Sequence, residues 1–388
     1  MTQKVGHFIV TYNRPSWLYN QIVPLERYTN RVYAWTRTLN DDITRSSGFI
    51  QLAPNFGTTH LARRVTLGLA VGAERTFGGM SRAFARDLQA NQVNIIHAHF
   101  GRAGVLALPA VQKTRLPLIT SFYGYDISQY GQRADWKHKY QELFSVSSAI
   151  LCLGTRMRQV VTALGCPEQK AHIHHLGVDI REIEYHSRAW DGRHPLRVLI
   201  AAAFRPKKGI PVGLKALARL SEILPVQITI IGDALDVPDS VVEKQRILSE
   251  IDQLGLKSIT TLMGAQPYKT LLEQAYNHHV FLAPSITAPD GDTEGTPMVL
   301  ADMAATGIPI VSTDHADIPE LIVDKETGLL ADEGNVDSLL DRLVWLTEHQ
   351  SDWERMTRAG RQHIEAEFSR STQARRMESL YDRTIASR

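Results

Sequence analysis

Short, nearly continuous apolar runs recur along this chain, each followed by a Gly or polar turn and then by a helical pattern. In the first half they are VGHFIVTY (5–12), RVYAWTR (31–37), VNIIHAHF (93–100), PLITSFY (117–123), AILCLG (149–154) and AHIHHLG (171–177). In the second half they are LRVLIAAAF (196–204), VQITIIG (226–232), SITTLMG (258–264), VFLAPS (280–285) and IPIVST (308–313). A strand that faces water on one side alternates apolar and polar residues, whereas these runs do not. Strands apolar on both sides, separated by helices, form parallel sheets covered on both faces. The expected class is therefore α/β, and 388 residues exceed what one core usually serves. Two doubly wound, Rossmann-like domains are expected, with the polar, irregular segment Asp179–Pro195 as the linker.

Composition narrows the class further. With 43% hydrophobic and 22% charged residues the chain is neither disordered nor fibrous. Its two cysteines, Cys152 and Cys166, make no metal motif or disulfide framework, and Cys152 reads as a buried small hydrophobe. MTQKVGHFIVTYNRP lacks the pattern of a secretory leader, and no apolar run is long enough to span a bilayer. A cytoplasmic protein, in contact with a membrane only at its surface, is expected. Residues 1–190 carry 22 Lys and Arg against 12 Asp and Glu, while residues 191–388 carry 21 against 29. That split has two readings, an anionic partner for the first half or a chance partition of surface charge. The basic residues form no dense run, and no nucleic-acid partner is expected.

In open α/β sheets ligands bind beyond the carboxyl ends of the strands, so the residues after each strand hold the chemistry. LRVLIAAAF is followed by Arg205-Pro206-Lys207-Lys208-Gly209, three cations at a helix entry, where phosphate is attracted both by charge and by free N–H groups. VFLAPS is followed by DGDTEGTPMVLADMAATG. There Thr296 suits the N-cap, Pro297 the first turn, and Gly307 the stop of the helix. Glu294 precedes that helix and can accept hydrogen bonds from the hydroxyls of a polyol. Asp302 lies inside the helix among Leu300, Met303 and Ala304, where a carboxylate needs a donor. Asp290-Gly291-Asp292 has the form of a DxD metal motif but reads as loop chemistry. His97 and His99 alternate on one strand, as do His172 and His174 with His175 adjacent, but no third ligand stands at a supporting spacing. No GxGxxG follows the first strand of either half, which disfavours an NAD-linked enzyme.

Taken together, SWLYNQIVPLERY, HAHFG, SFYGYDIS, HHLGVDI, RPKKG, VFLAPSITAPDGDTEGTPMVLADMA, GIPIVST and DIPELI…TGLL resemble the retaining glycosyltransferases of family 4, in the branch that builds exopolysaccharides of the colanic-acid type. The resemblance spans nearly the whole chain and is most specific from Val280 to Leu330.

It implies a GT-B fold with a cleft between the two domains. Residues 1–186 would bind the acceptor and residues 187–368 the nucleotide sugar, and residues 369–388 would form a helix packing back on the first domain. The donor would be a UDP- or GDP-sugar, and the acceptor a saccharide or lipid-linked saccharide. Transfer would proceed with retention and without a metal or other cofactor. In the family's acid, seven residues, acid pattern, Glu294 would hold hydroxyls of the donor sugar and Asp302 the ribose. Gly295, Thr296 and Pro297 would lie at the diphosphate with Lys208 and Arg205, Pro297 having no N–H to offer. Tyr123, Gly124 and Asp126 match the family's segment after an N-domain strand, and Arg14, Ser16, His99 and Arg102 fall in the acceptor region. The chain departs from the family in having Asp302 for Glu, Tyr123 for His, Ala203 for Arg, and Asn13-Arg14-Pro15-Ser16 where a Gly-rich loop is usual. These departures keep two other classes open, a nucleotide-sugar-binding protein without transfer activity and a sugar-nucleotide epimerase on the same architecture. A glycogen-type phosphorylase is disfavoured by length.

Overall fold

A computed structural model describes residues 2–12, 16–37, 48–51 and 74–387. The chain divides into two compact units, one of residues 1–174 and 373–388, the other of residues 175–372.

The first unit is built on a seven-stranded sheet of order β3-β2-β1-β4-β5-β6-β7. Its strands are β1 (Gln3–Tyr12), β2 (Tyr28–Arg37), β3 (Phe49–Gln51), β4 (Ile95–His99), β5 (Leu118–Ser121), β6 (Ala149–Cys152) and β7 (Ala171–Ile173). Every adjacent pair is parallel. The second unit has a six-stranded parallel sheet of order β10-β9-β8-β11-β12-β13. Its strands are β8 (Leu196–Ala201), β9 (Val226–Ile231), β10 (Thr260–Gly264), β11 (Val280–Ala283), β12 (Ile310–Thr313) and β13 (Leu329–Ala331). All the strands expected from the apolar runs are present. β3 and β13 are additional, each three residues long and at a sheet edge, too short to leave a pattern.

The two-sided burial that the apolar runs imply is realised in the second sheet. Leu196, Val198 and Ile200 of β8 enter one core with Val280 and Leu282 of β11. The alternate residues Leu199, Ala201 and Phe281 enter the core on the opposite face, with Leu300, Met303 and Ile310. In the first unit, Val5, Ile95 and Ile119 share one face with Ala374, Met377, Leu380 and Tyr381 of the last helix, Arg370–Ala386. Each Val, Leu, Ile, Phe or Met side chain among these, taken fully out of water, contributes about 1.5–3 kcal/mol.

The segment expected to be a linker packs instead within the second unit. Its Ile183 is buried in the core of that unit, as is Val178 just ahead of it. Val178 also exchanges backbone hydrogen bonds with Phe368 and Arg370, and Arg361 donates to the carbonyls of Ile180 and Ile183. The chain therefore changes unit after His174 rather than at residue 186, and changes back after Thr372. Two isolated apolar residues among polar neighbours gave no periodic signal. Both Cys152 and Cys166 are buried thiols that form no disulfide. No described helix is long and apolar enough to cross a membrane.

Candidate active site

The second unit brings the basic turn and the acidic loop together at the ends of β8 and β11. After β8 the chain forms a short 3-10 turn, Pro206–Lys208, and enters the helix Ile210–Ser221 through Gly209. Gly209 has φ +60°, and a Cβ there would lie 1.9 Å from the carbonyl oxygen of Pro284 just beyond β11. Glycine is thus required both for its left-handed backbone and for the close approach. The Ile286 N–H donates to Lys207 O at 2.8 Å, which ties the loop after β11 to the turn.

Charge completes the junction. Asp292, only 2% exposed, lies 3.2 Å from both Arg205 and Lys207, and Lys207 also donates to Thr293 O at 2.9 Å. Asp292 is a counter-ion that holds the loop to the basic turn. Lys208 pairs with Glu294 at 2.8 Å. Burial alone would raise the Glu294 carboxyl, but Lys208 and then Lys207 outweigh it and hold it below the usual carboxylate range. The Glu294 N–H donates to His315 Nε2 at 3.1 Å, and His315 Nδ1–H donates to Glu333 at 2.8 Å. Glu333 also accepts from the backbone N–H of Thr287, so His315 and Glu333 clamp both ends of the loop. Sequence reasoning missed this pair although His315 follows β12 and Glu333 follows β13, because their pairing across two strand ends leaves no local signal.

The helix Met298–Thr306 begins one residue later than expected. Its N-cap is Pro297, in an extended conformation with ψ 104°, and no side chain caps it. Thr296 is not the cap. Its hydroxyl is buried and makes no hydrogen bond with the protein. The first N–H groups of the helix, which follow Gly295, Thr296 and Pro297, thus lack a side-chain acceptor. Gly307, with φ +82°, ends the helix as expected. Asp302 is half-buried, and burial pushes its carboxyl up to about 7 despite a hydrogen bond from Tyr268. That bond, Tyr268 hydroxyl to Asp302 Oδ1 at 2.9 Å, supplies the donor that a carboxylate in this setting needs.

In the first unit, Asp126 is fully buried and accepts three backbone hydrogen bonds, from Gly101, Tyr123 and Gly124, at 2.9–3.0 Å. Burial raises its carboxyl to about 6 against the pull of those N–H groups. The carboxylate is a clamp joining the start of the helix Gly101–Thr114 to the turn after β5, with Gly124 at φ 134° inside that turn. It shapes the turn around Tyr123 from within. Arg102 is half-buried at the start of the same helix, and its Nη2 makes no hydrogen bond. Ser16 lies at the start of the helix Ser16–Ile22, and Arg14 lies outside the described residues.

His99 belongs to a histidine cluster that the sequence did not reveal. Its missing member, His7, comes from β1, in register with His97 of the adjacent β4. Donor atoms of His7, His97 and His99 fall within 4.8 Å of one another, so the third imidazole is supplied by strand pairing rather than by local spacing. Hydrogen bonds dictate the protons. Asn30 donates its amide to Ile22 O, which turns its Oδ1 toward His7 Nε2–H at 3.0 Å. His7 Nδ1 then accepts from His99 Nε2–H at 3.1 Å, and His99 Nδ1 accepts from the Tyr123 hydroxyl at 2.6 Å. Both nitrogens of His97 are engaged by hydroxyls, Tyr381 at 2.6 Å and Ser121 at 2.8 Å. Burial lowers His7 to about 4 and His97 and His99 well below the ordinary value, so all three are neutral. A metal ion would need His97 to give up a hydroxyl. The arrangement instead places the Tyr123 hydroxyl between His99 Nδ1 at 2.6 Å and a second acceptor, Gln21 Oε1, at 3.3 Å. His172, His174 and His175 do not converge: the Cys152 carbonyl accepts from the His174 N–H in the first unit, whereas His175 faces Glu320 in the second.

Two family models match the chain, "Glycosyltransferase Family 4" over residues 47–182 and "Glycosyl transferases group 1" over residues 191–363. The amylovoran biosynthesis glycosyltransferase AmsK of Erwinia amylovora is 31% identical over 294 residues, covering 75% of this chain and 70% of that protein. The chain belongs to the family 4 glycosyltransferases. WcaL of Salmonella typhimurium, named for colanic acid biosynthesis, is 30% identical over 306 residues, covering 78% of this glycosyltransferase and 73% of the relative. Anabaena HepE, solved in complex with UDP, superposes with a TM-score of 0.77 at 14% identity over 98% of this chain and 99% of that one. A sucrose-phosphate synthase from Thermosynechococcus elongatus gives 0.76 at 15% identity over the full length of both. At such identity these neighbours show the fold. This glycosyltransferase has the expected GT-B architecture of two parallel-sheet Rossmann-like units.

Proposed function

We propose that the enzyme transfers a hexose, with retention, from a nucleotide-diphosphate sugar to a hydroxyl of a saccharide or lipid-linked saccharide acceptor in exopolysaccharide synthesis. The observation that carries this is the Lys208–Glu294 pair at 2.8 Å, four residues ahead of an uncapped helix N-terminus. It sets an ionised carboxylate, a cation and unspent N–H groups in one short stretch, the chemistry that a sugar joined to a diphosphate needs. Breaking the glycosidic C–O bond builds oxocarbenium character on the sugar and negative charge on the leaving diphosphate. Lys208, with Arg205 beside it, and the N–H groups from Gly295 to Val299 other than Pro297 stabilise that charge where it forms. Glu294 accepts from sugar hydroxyls, and Asp302 from the ribose. Each cation already has a counter-ion, Arg205 in Asp292 and Lys208 in Glu294, so the diphosphate shares them with these carboxylates. The acceptor hydroxyl attacks on the face the diphosphate leaves, and a leaving-group oxygen takes its proton. Cations do the work a divalent ion does in DxD enzymes, so the reaction runs without metal.

The curated relatives AmsK and WcaL, named for amylovoran and colanic acid synthesis, support the exopolysaccharide reading. UDP bound to HepE supports a uridine donor. Tyr123 and Arg102 in the first unit are our candidates for acceptor contact, and its basic charge fits an anionic, lipid-linked acceptor.

The test is transfer of labelled sugar from a panel of UDP- and GDP-sugars to a lipid-linked acceptor, with the anomeric configuration of the product read by NMR. Glu294→Ala and Lys208→Ala are each expected to lower turnover at least ~100-fold. Near-native turnover in both, or an inverted product, overturns the mechanism. Interconversion of the donor without acceptor would identify an epimerase instead.

A further inference from the structure

Tyr268 is the first residue of the helix Tyr268–Asn277, which follows β10 after Pro267. Its residue is 45% exposed, yet its hydroxyl is committed to Asp302 Oδ1 at 2.9 Å on the neighbouring helix Met298–Thr306. Asp302 makes no other hydrogen bond or ion pair among the described residues, so Oδ2 is left open. The stretch after Met263 is itself exposed from Ala265 to Lys269, and it follows the carboxyl end of a parallel strand, where open α/β sheets bind ligands.

An aspartate has one methylene less than a glutamate, so its carboxylate reaches less far from the helix and swings about fewer bonds. A donor that fixes one oxygen sets the direction of the other. Tyr268 is itself part-exposed, so some of the ring that carries this hydroxyl is open to solvent. Here those features come together as a single acceptor oxygen of set direction, with a part-exposed aromatic ring and at a strand end. A vicinal diol attached to a flat base matches both parts: the oxygen takes a hydroxyl proton and the ring meets the apolar side of the sugar or base.

We infer that Tyr268 is a positioning residue for the nucleoside of the donor. It holds Asp302 so that Oδ2 meets the ribose diol, and it makes good the reach lost with the shorter acid. This rests on the reading that the second unit binds the nucleotide.

The experiment measures binding of UDP, GDP and their 2′,3′-dideoxy analogues by calorimetry to the full chain, as wild type, Tyr268→Phe and the double variant Tyr268→Phe/Asp302→Glu. The wild type is expected to prefer ribo- over dideoxynucleotide by roughly 10–100-fold, the worth of a hydrogen bond to a charged acceptor. Tyr268→Phe keeps the ring and is expected to lose most of that preference, to within about threefold. Its donor KM rises while kcat changes little, since the contact is equal in ground and transition states. The double variant, with the longer acid and no phenol, is expected to regain the preference. A structural link between two helices would move the melting temperature but leave the ribo-to-dideoxy ratio intact. An unchanged ratio in Tyr268→Phe overturns the inference while leaving nucleotide binding standing. Should Tyr268→Phe fail to fold, the double variant decides: lack of a ribose preference there overturns the inference. Failure of the wild type to bind either nucleotide overturns the functional reading itself.

Discussion

Replacing Lys208 by Ala leaves Glu294 as a carboxylate only 7% exposed without its nearest cation. At 2.8 Å and an effective dielectric of about 20 the gross attraction is about 6 kcal/mol, most of it offset by desolvation of the two ions. Removing one partner exposes that desolvation cost, about 3–5 kcal/mol for a buried pair. Lys207 and His315 still act on the carboxylate, which places the expected loss near 3 kcal/mol. For a unit of this size that lowers its melting temperature by roughly 6–12 °C. The sign with pH follows from the ionisation. In the wild type the Glu294 carboxyl lies below its ordinary 4.5, so its stabilising contribution is present above 4.5 and fades as pH falls through the folded value. In Lys208→Ala the carboxyl loses the largest charge opposing burial and moves upward. The deficit is then largest near pH 8 and shrinks toward pH 5, as the buried acid takes a proton. Thermal unfolding followed by tryptophan emission reads this, since Trp190 and Trp353 are buried in the second unit. Lys208→Met/Glu294→Gln, which removes both charges at similar volume, should melt close to wild type. A Lys208→Ala protein that melts like wild type at pH 8, or whose deficit is the same at pH 5, would refute the reasoning.

Other outcomes follow from the same geometry. Turnover should survive dialysis against EDTA, and a loss restored by one divalent ion would reinstate a metal. Nucleotide affinity should fall between pH 8 and pH 6 as Asp302, raised to about 7, takes up a proton and stops accepting. In Asp302→Asn, calorimetry should find weaker binding with a flat profile over that range. Gly209→Ala must accommodate a Cβ 1.9 Å from Pro284 O at a positive φ, so it should cost a few kcal/mol and raise donor KM by moving the basic turn.

How far the sequence led depended on how local each signal was. The sheets were legible because every central strand is buried on two faces, which leaves a continuous apolar run. Gly307 could be placed because a left-handed helix stop is a one-residue requirement. The basic turn and Glu294 stood out as charge after a strand. What could not be read was pairing across the fold. His7 joins His97 only through the β1–β4 register, ninety residues apart in sequence. Asp292 looked like half of a metal motif until Arg205 and Lys207 appeared on either side of it. Asp302 needed a donor, and nothing marked Tyr268 as that donor. Thr296 was assigned as a cap from residue preference, and the extended backbone at Pro297 moved the helix start beyond it.

The first unit is discontinuous in sequence, and residues 175–372 are made before its last helix exists. At about 5–20 residues per second, their synthesis takes roughly 10–40 s. Throughout that interval Val5, Ile95, Ile119 and His97 stand on a finished strand face that Met377, Leu380 and Tyr381 have not yet covered. The nascent chain thus leaves an apolar sheet face open on the ribosome for far longer than the microseconds in which helices form. That gives chaperones a window, which closes when residues 373–388 are made.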